Sequence, residues 1–149
     1  MGIMRVYTAG IIGYGGMAGH HEKVMRVDYD RMKLKGIFDL DERRRRAAEE
    51  QGYYPYTSKE ELISDPEVDV VIIATTNEAH KDLAIEALRA GKHVICEKPV
   101  TMSAAELEEI MATAEQCDAV FTIDQNRRTN RDFVLMRRQV EAGAIGKPY

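Results

Sequence analysis

The stretch AGIIGYGGMAGHH, Ala9 to His21, decides how this chain is read. A short apolar run ends at Gly13, and Gly13-Tyr14-Gly15-Gly16-Met17-Ala18 fits the pattern GxGxxG/A. Each small residue has a physical reason in that pattern. Gly13 permits the sharp turn out of a strand. Gly15 has no Cβ, so the backbone can approach a pyrophosphate. Ala18 lets the following helix pack close to the sheet. Free N–H groups at the helix N-terminus then face the anion, with the helix dipole in support. Six residues alone do not separate a phosphate loop from a plain strand-to-helix turn. The spacing to residues further along the chain does.

The run Val6–Ile12 is rich in β-branched residues and predicts a strand ending at Gly13. Ala18–Arg26 predicts a helix, and Met32–Leu40 a second strand. Asp39 stands at the end of that strand, about 20 residues beyond the loop, where an acidic side chain accepts the adenosine ribose hydroxyls. Its charge would repel a 2′-phosphate, which favours NAD over NADP. The other reading of Asp39 is a turn or capping aspartate, and Asp41 already supplies a cap for the helix DERRRRAAEEQ, which stops at Gly52. The tetrad Arg43–Arg46 reads as a solvated helix face, or as a phosphate contact.

YYPYT predicts a short third strand, weakened by Pro55. Ser58-x-x-Glu61 is a capping-box pattern opening a short helix to Ser64. Val68–Thr75 is almost continuously apolar, as in a parallel strand buried on both faces. A helix comes next over Asn77–Ala90, then a fifth strand in KHVICEKP, stopped by Pro99. Ala104–Gln116, a sixth strand in AVFTIDQN and a last helix over Asp132–Ala142 complete the pattern. Alternating strands and helices imply βαβ units and an α/β fold: a doubly wound parallel sheet of the Rossmann type.

Ligands of such sheets bind outside the carboxyl ends of the strands. Asn77, His80, Glu97 and Lys98 are therefore placed where a dinucleotide would run. Asn77 alone could be a helix cap, and His80 a helix-surface histidine. Lys98 is an odd choice for packing between a buried strand and a proline. Held there, it can donate to a substrate oxygen or shuttle a proton. Cys96 reads as a small buried strand residue.

The net charge of −4 counts against a nucleic-acid partner. No run of about 20 apolar residues suggests a membrane span, and the N-terminus shows no signal-peptide core. Gly2 lacks the Ser or Thr that myristoylation would require. Cys96 and Cys117 form no CxxC or zinc pattern, so two reduced thiols, no metal site and a cytoplasmic protein are expected.

Taken in order, GYGGMA, FDLDERR, TTNEAHKDLAIEALRAGKHVICEKPVTMSAAE, DQNRR and GAIGKP resemble the N-terminal domain of the Gfo/Idh/MocA oxidoreductases, the glucose–fructose oxidoreductase and inositol dehydrogenase-like family. The resemblance runs from about Val6 to Tyr149. Its most specific part is the spacing from Asn77 through His80 to Glu97-Lys98-Pro99. Thr76 stands where the family usually has a turn proline. The resemblance implies that Gly13, Gly15, Gly16, Met17 and Ala18 surround the pyrophosphate and that Asp39 takes the adenine ribose. It places Thr75, Asn77 and His80 along the path to the nicotinamide ribose. Glu97, Lys98 and Asn126 would lie at the nicotinamide, with Lys98 as the catalytic or orienting lysine. Arg127 and Arg128 match a basic pair that anchors substrate oxygens, or form an exposed loop pair.

The implied activity is hydride transfer between NAD and a sugar, cyclitol or related polyol. Epimerisation, elimination or glycoside cleavage through transient oxidation is the enzymatic alternative, and a non-enzymatic dinucleotide-binding regulator the other. The family's second domain supplies most substrate contacts and usually an acid/base histidine. Residues 1–149 therefore read as the cofactor domain alone, expected to be inactive by itself and to belong to a homo-oligomer.

Overall fold

The apolar, β-branched runs become six strands in the computed structural model, which describes residues 5–27 and 30–146. They are β1 (Tyr7–Ile12), β2 (Met32–Phe38), β3 (Tyr54–Pro55), β4 (Val70–Ile73), β5 (His93–Cys96) and β6 (Phe121–Ile123). The helices are α1 (Gly16–Val27), α2 (Glu42–Glu50), α3 (Lys59–Ser64), α4 (Asn77–Arg89), α5 (Ala104–Gln116) and α6 (Arg131–Glu141). All strand pairings are parallel, in the order β3-β2-β1-β4-β5-β6. This is the doubly wound arrangement, and its order reverses between β1 and β4. Gly2 and the end of the GAIGKP block, from residue 147, lie outside the described residues.

Every residue of β4 is buried, as a strand covered on both faces must be. Two apolar clusters flank the sheet. One gathers Ala9, Ile11, Ala18 and Ile37; the other gathers Leu62, Val71, Leu88 and Ile110.

Local chemistry sets the helix starts. Asp41 accepts the Arg43 N–H at 3.0 Å and caps α2. Ser58 accepts the Glu61 N–H at 3.1 Å, while Glu61 reaches back to the Thr57 N–H at 2.8 Å. Ser103 and Glu106 repeat the device on α5, with Glu106 accepting from Met102 N at 2.8 Å. Helix α1 begins two residues earlier than its sequence suggests, because Gly19 N–H closes a first turn on the Gly15 carbonyl at 3.1 Å. β3 shrinks to two residues at the sheet edge, where Pro55 cannot extend the ladder.

The rim holding the N-terminal ends of the strands is stapled by charge. Asp69 accepts Arg5 Nη2 at 2.6 Å and Thr8 N at 2.9 Å. Lys92, 8% exposed, donates to the Asp65 and Val68 carbonyls at 2.7 Å each. Lys35 Nζ lies 2.6 Å from Asp65. No helix among the described residues is long and apolar enough to cross a membrane.

Candidate functional site

The opposite rim carries the loops that the sequence singles out. Gly13 has φ +88°, a conformation that L side chains rarely adopt. A Cβ there would also lie 2.6 Å from the Ala74 carbonyl oxygen. The turn out of β1 therefore requires glycine for its own backbone. Gly15 differs: a Cβ there would meet nothing within 4 Å. Its lack of a side chain keeps open space at the mouth of a cleft of about 630 Å³. Gly13, Gly15, Asp39, Leu40, Arg44 and Thr75 are among the residues lining that cleft.

Asp39 is 7% exposed and ties this region together. Its Oδ2 accepts the Tyr14 N–H at 2.6 Å and Arg44 Nη1 at 3.2 Å, and its Oδ1 accepts the Asp41 N–H at 2.8 Å. A carboxylate has about four lone-pair positions, so acceptor capacity remains on the cleft side. The arginine tetrad divides its labour. Arg43 pairs with Asp41 and Arg46 with Glu42, while Arg45 caps the Asp39 and Leu40 carbonyls. Arg44 is the member that faces the cleft.

Tyr14, inside the glycine loop, donates to the buried Glu22 at 2.9 Å; Tyr53 donates to the same carboxylate at 3.1 Å. Burial, then this carboxylate, pushes the Tyr14 phenol up to about 12, so it stays protonated and keeps donating. Cys96 is fully buried, and burial with the nearby Glu97 charge pushes its thiol up to about 12. Such a thiol is a packing group, in line with its strand pattern.

The remaining candidates gather away from the cleft, at the ends of β5 and β6. Glu97 is 4% exposed, and Lys98 follows it with an exposed side chain. Lys98 N–H donates to Glu97 Oε2 at 3.3 Å. Asn126 Nδ2 donates to Asp124 Oδ2 at 3.1 Å. His21 Nε2 lies 2.8 Å from Glu97 Oε1. His21 and Asp124 join the site only through the fold. Each does carry a sequence signal: His21 is on the loop's own helix, and Asp124 follows a strand end.

Ala18 has no exposed surface and packs in the core, as a residue that brings the helix close to the sheet must, and it shapes the loop without lining it. His80 is 1% exposed; its Nδ1 lies 3.0 Å from the Pro99 carbonyl and its Nε2 3.3 Å from that of Thr75. It brackets two loops through their backbones, so it is a buried residue and not one on the helix surface. β6 ends at Ile123, so Asn126 opens a 3-10 turn, Asn126–Thr129, instead of ending the strand; Arg127 and Arg128 follow it in that turn, both exposed. Asn77 opens α4 and Thr76 holds the cap position, so Asn77 is not the cap.

Residues 7–125 match the family described as "Oxidoreductase family, NAD-binding Rossmann fold", GFO_IDH_MocA. The chain belongs to the Gfo/Idh/MocA oxidoreductase family. Among related Gfo/Idh/MocA proteins, the myo-inositol 2-dehydrogenase of Thermotoga maritima is 33% identical over 142 residues, covering 94% of this chain and 42% of the relative. An NAD-binding protein from Listeria innocua has a structure matching with TM-score 0.90 at 42% identity, over 95% of this chain and 42% of that one. The WlbA dehydrogenase of Bordetella pertussis, solved with NADH and UDP-GlcNAcA, matches with TM-score 0.86 at 25% identity, over 93% and 43% of the two chains. This Gfo/Idh/MocA chain thus spans about two fifths of the length of the relatives it matches.

The residues present fit a dinucleotide. Gly15 leaves a cradle that a side chain would fill, and the buried Asp39 lines the same cleft, bonded to the neighbouring Tyr14 N–H. The N-terminus of α1 opens beside that cradle, where an anion is favoured.

Proposed function

We propose that this chain is the cofactor domain of an NAD-dependent dehydrogenase acting on a sugar, cyclitol or related polyol, with the substrate domain following residue 149. The observation that carries the reading is the shared rim. Glycine loop, Asp39 and exposed Lys98 all lie at the carboxyl ends of parallel strands. The names of the related inositol and sugar-nucleotide dehydrogenases support the substrate class.

Asp39 takes the adenosine ribose and disfavours a 2′-phosphate. Gly15, Gly16 and Met17 give backbone N–H groups to the pyrophosphate, while the Gly13 and Tyr14 N–H groups bond Phe38 and Asp39 and hold the loop. Thr75 and Asn77 border the path onward, and Asn126 and Glu97 flank the second nucleoside. NAD, when bound, supplies the hydride acceptor. Lys98 orients the substrate oxygen as an ammonium donor or, as the neutral amine, takes its proton as the carbonyl forms. Arg127 and Arg128, exposed at the rim, hold further substrate oxygens. The substrate completes its contacts in the second domain, and the assembled enzyme is a homo-oligomer.

Calorimetric titration of the chain with NAD and NADP tests the cofactor assignment. A polyol and sugar panel, assayed with the full-length protein, tests the substrate class. Tight NAD binding with weaker NADP binding is expected, and turnover only when the second domain is present. Absence of NAD binding, or reaction with none of the panel, would overturn the respective part.

A further inference from the structure

His21 lies in the second turn of α1, the helix whose N-terminus opens the glycine loop. Its side chain is only 15% exposed, and it points along the rim. Nε2 is 2.8 Å from Glu97 Oε1 and 3.7 Å from Asp124 Oδ2. The second Glu97 oxygen accepts the Lys98 N–H, and Asp124 Oδ2 accepts the Asn126 amide. One ring on α1 thereby reaches the ends of β5 and β6 and, through two carboxylates, Lys98 and Asn126.

Two carboxylates so placed repel, and burial removes the water that would screen them. An N–H donor from the imidazole offsets that cost. The polar atoms of His21, Glu97 and Asp124 lie within 4.8 Å of one another, a spacing that a divalent cation could also use. Both Glu97 oxygens, however, already face nitrogen donors at hydrogen-bonding distance. That pattern fits a hydrogen-bonded set better than a cation's ligand shell.

We propose that His21 is a positioning residue for the nicotinamide half of the cofactor. By donating from Nε2 to Glu97 it fixes the strand ends that carry Lys98 and Asn126 against the helix that meets the pyrophosphate. Cofactor anchoring at the loop and alignment of Lys98 are then mechanically one event. In a doubly wound sheet the dinucleotide runs along the carboxyl ends of the strands. With the adenosine at Asp39 on β2 and the pyrophosphate at the β1–α1 turn, the second nucleoside lies over β4 to β6. The inference rests on the NAD-binding reading above.

ADP ends at the pyrophosphate, whereas NAD continues into the second nucleoside, so the pair separates the two halves of the site. Both are titrated against wild type, His21→Phe, which keeps a ring but loses the donor, and His21→Gln, which keeps an amide donor. His21→Phe is expected to weaken NAD about 10-fold, the scale of one hydrogen bond to a charged group. ADP affinity should stay within about twofold, well inside that scale. His21→Gln should recover most of the loss. If His21→Phe does not fold, Glu97→Gln carries the test with the same expected selectivity for NAD. Equal losses for NAD and ADP would make His21 an ordinary packing residue and overturn the proposal. Unchanged NAD affinity in the variants would overturn it too. A wild-type chain that binds neither ligand would overturn the cofactor reading itself, and the proposal with it.

Discussion

Asp39 Oδ2 and the backbone N–H of Tyr14, 25 residues apart in sequence, are joined at 2.6 Å. The carboxylate expected to meet the ribose therefore also holds the glycine loop. Binding and loop geometry share one side chain, so changes at Asp39 act on both.

Asp39→Ala should weaken NAD by about 1–3 kcal/mol, the range for losing charge-assisted hydrogen bonds. It should also narrow the preference for NAD over NADP, because the charge that repels a 2′-phosphate is gone. Calorimetry with both cofactors measures the gap. Arg44 supplies the opposing case, with Nη1 at 3.2 Å from Asp39 and its side chain 53% exposed. Wild-type protein that binds NADP as tightly as NAD would mean that Arg44 receives the phosphate and that Asp39 does not discriminate.

The two loop glycines should fail differently. Gly15→Val places its side chain where nothing lies within 4 Å, so folding survives and cofactor binding is lost. Gly13→Ala meets the Ala74 carbonyl at 2.6 Å and keeps an unfavourable φ, so it should lower the melting temperature. Circular dichroism melts and NAD titration of both variants separate the two roles. A Gly15→Val chain that binds NAD normally would reduce the loop to a turn.

Lys98 belongs to chemistry rather than anchoring in the proposed function. Lys98→Ala in the full-length protein should cut turnover by roughly 10²–10⁴-fold, the usual range for a positioned acid/base. NAD affinity should barely move. Normal turnover combined with poor NAD binding would reassign the lysine to the cofactor.

Acid stability should depend on Asp65. Burial alone would raise its pKa. The Lys35 ammonium, the Tyr56 hydroxyl and the Glu67 N–H outweigh burial and hold it at about 2, below the ordinary 3.8. A carboxyl with a depressed folded pKa stabilises the fold above its unfolded pKa. The contribution, about 2 kcal/mol, is present above about pH 4 and fades as pH falls toward 2. Asp65→Asn should remove most of the difference between melts at neutral pH and near pH 2.5, a window set by the same linkage. An unchanged pH dependence would show that other carboxylates carry the acid transition.

The sheet was legible because its strands are short apolar runs punctuated by Gly, Pro and capping residues. Val70–Ile73 and the Asp41, Ser58 and Ser103 caps act where local pattern places them. The glycine loop and Asp39 were legible for a related reason: their chemistry depends on a fixed spacing along the chain. The His21–Glu97 contact spans 76 positions, and no local pattern encodes such a distance. A helix-surface reading of His80 fails because the bend at Pro99 brings a carbonyl over its buried ring. The 3-10 turn at Asn126 was hidden by residues that fit a strand end equally well.

The Asp69, Lys92 and Asp65 staples occupy the rim opposite the glycine loop. Strands of four to seven residues hold the two rims about 13–23 Å apart. Effects of substitutions so far apart usually add without coupling. The molecule thus has one end where robustness can drift and another where specificity can drift. A lineage could retune its thermal tolerance at the first without renegotiating its cofactor at the second.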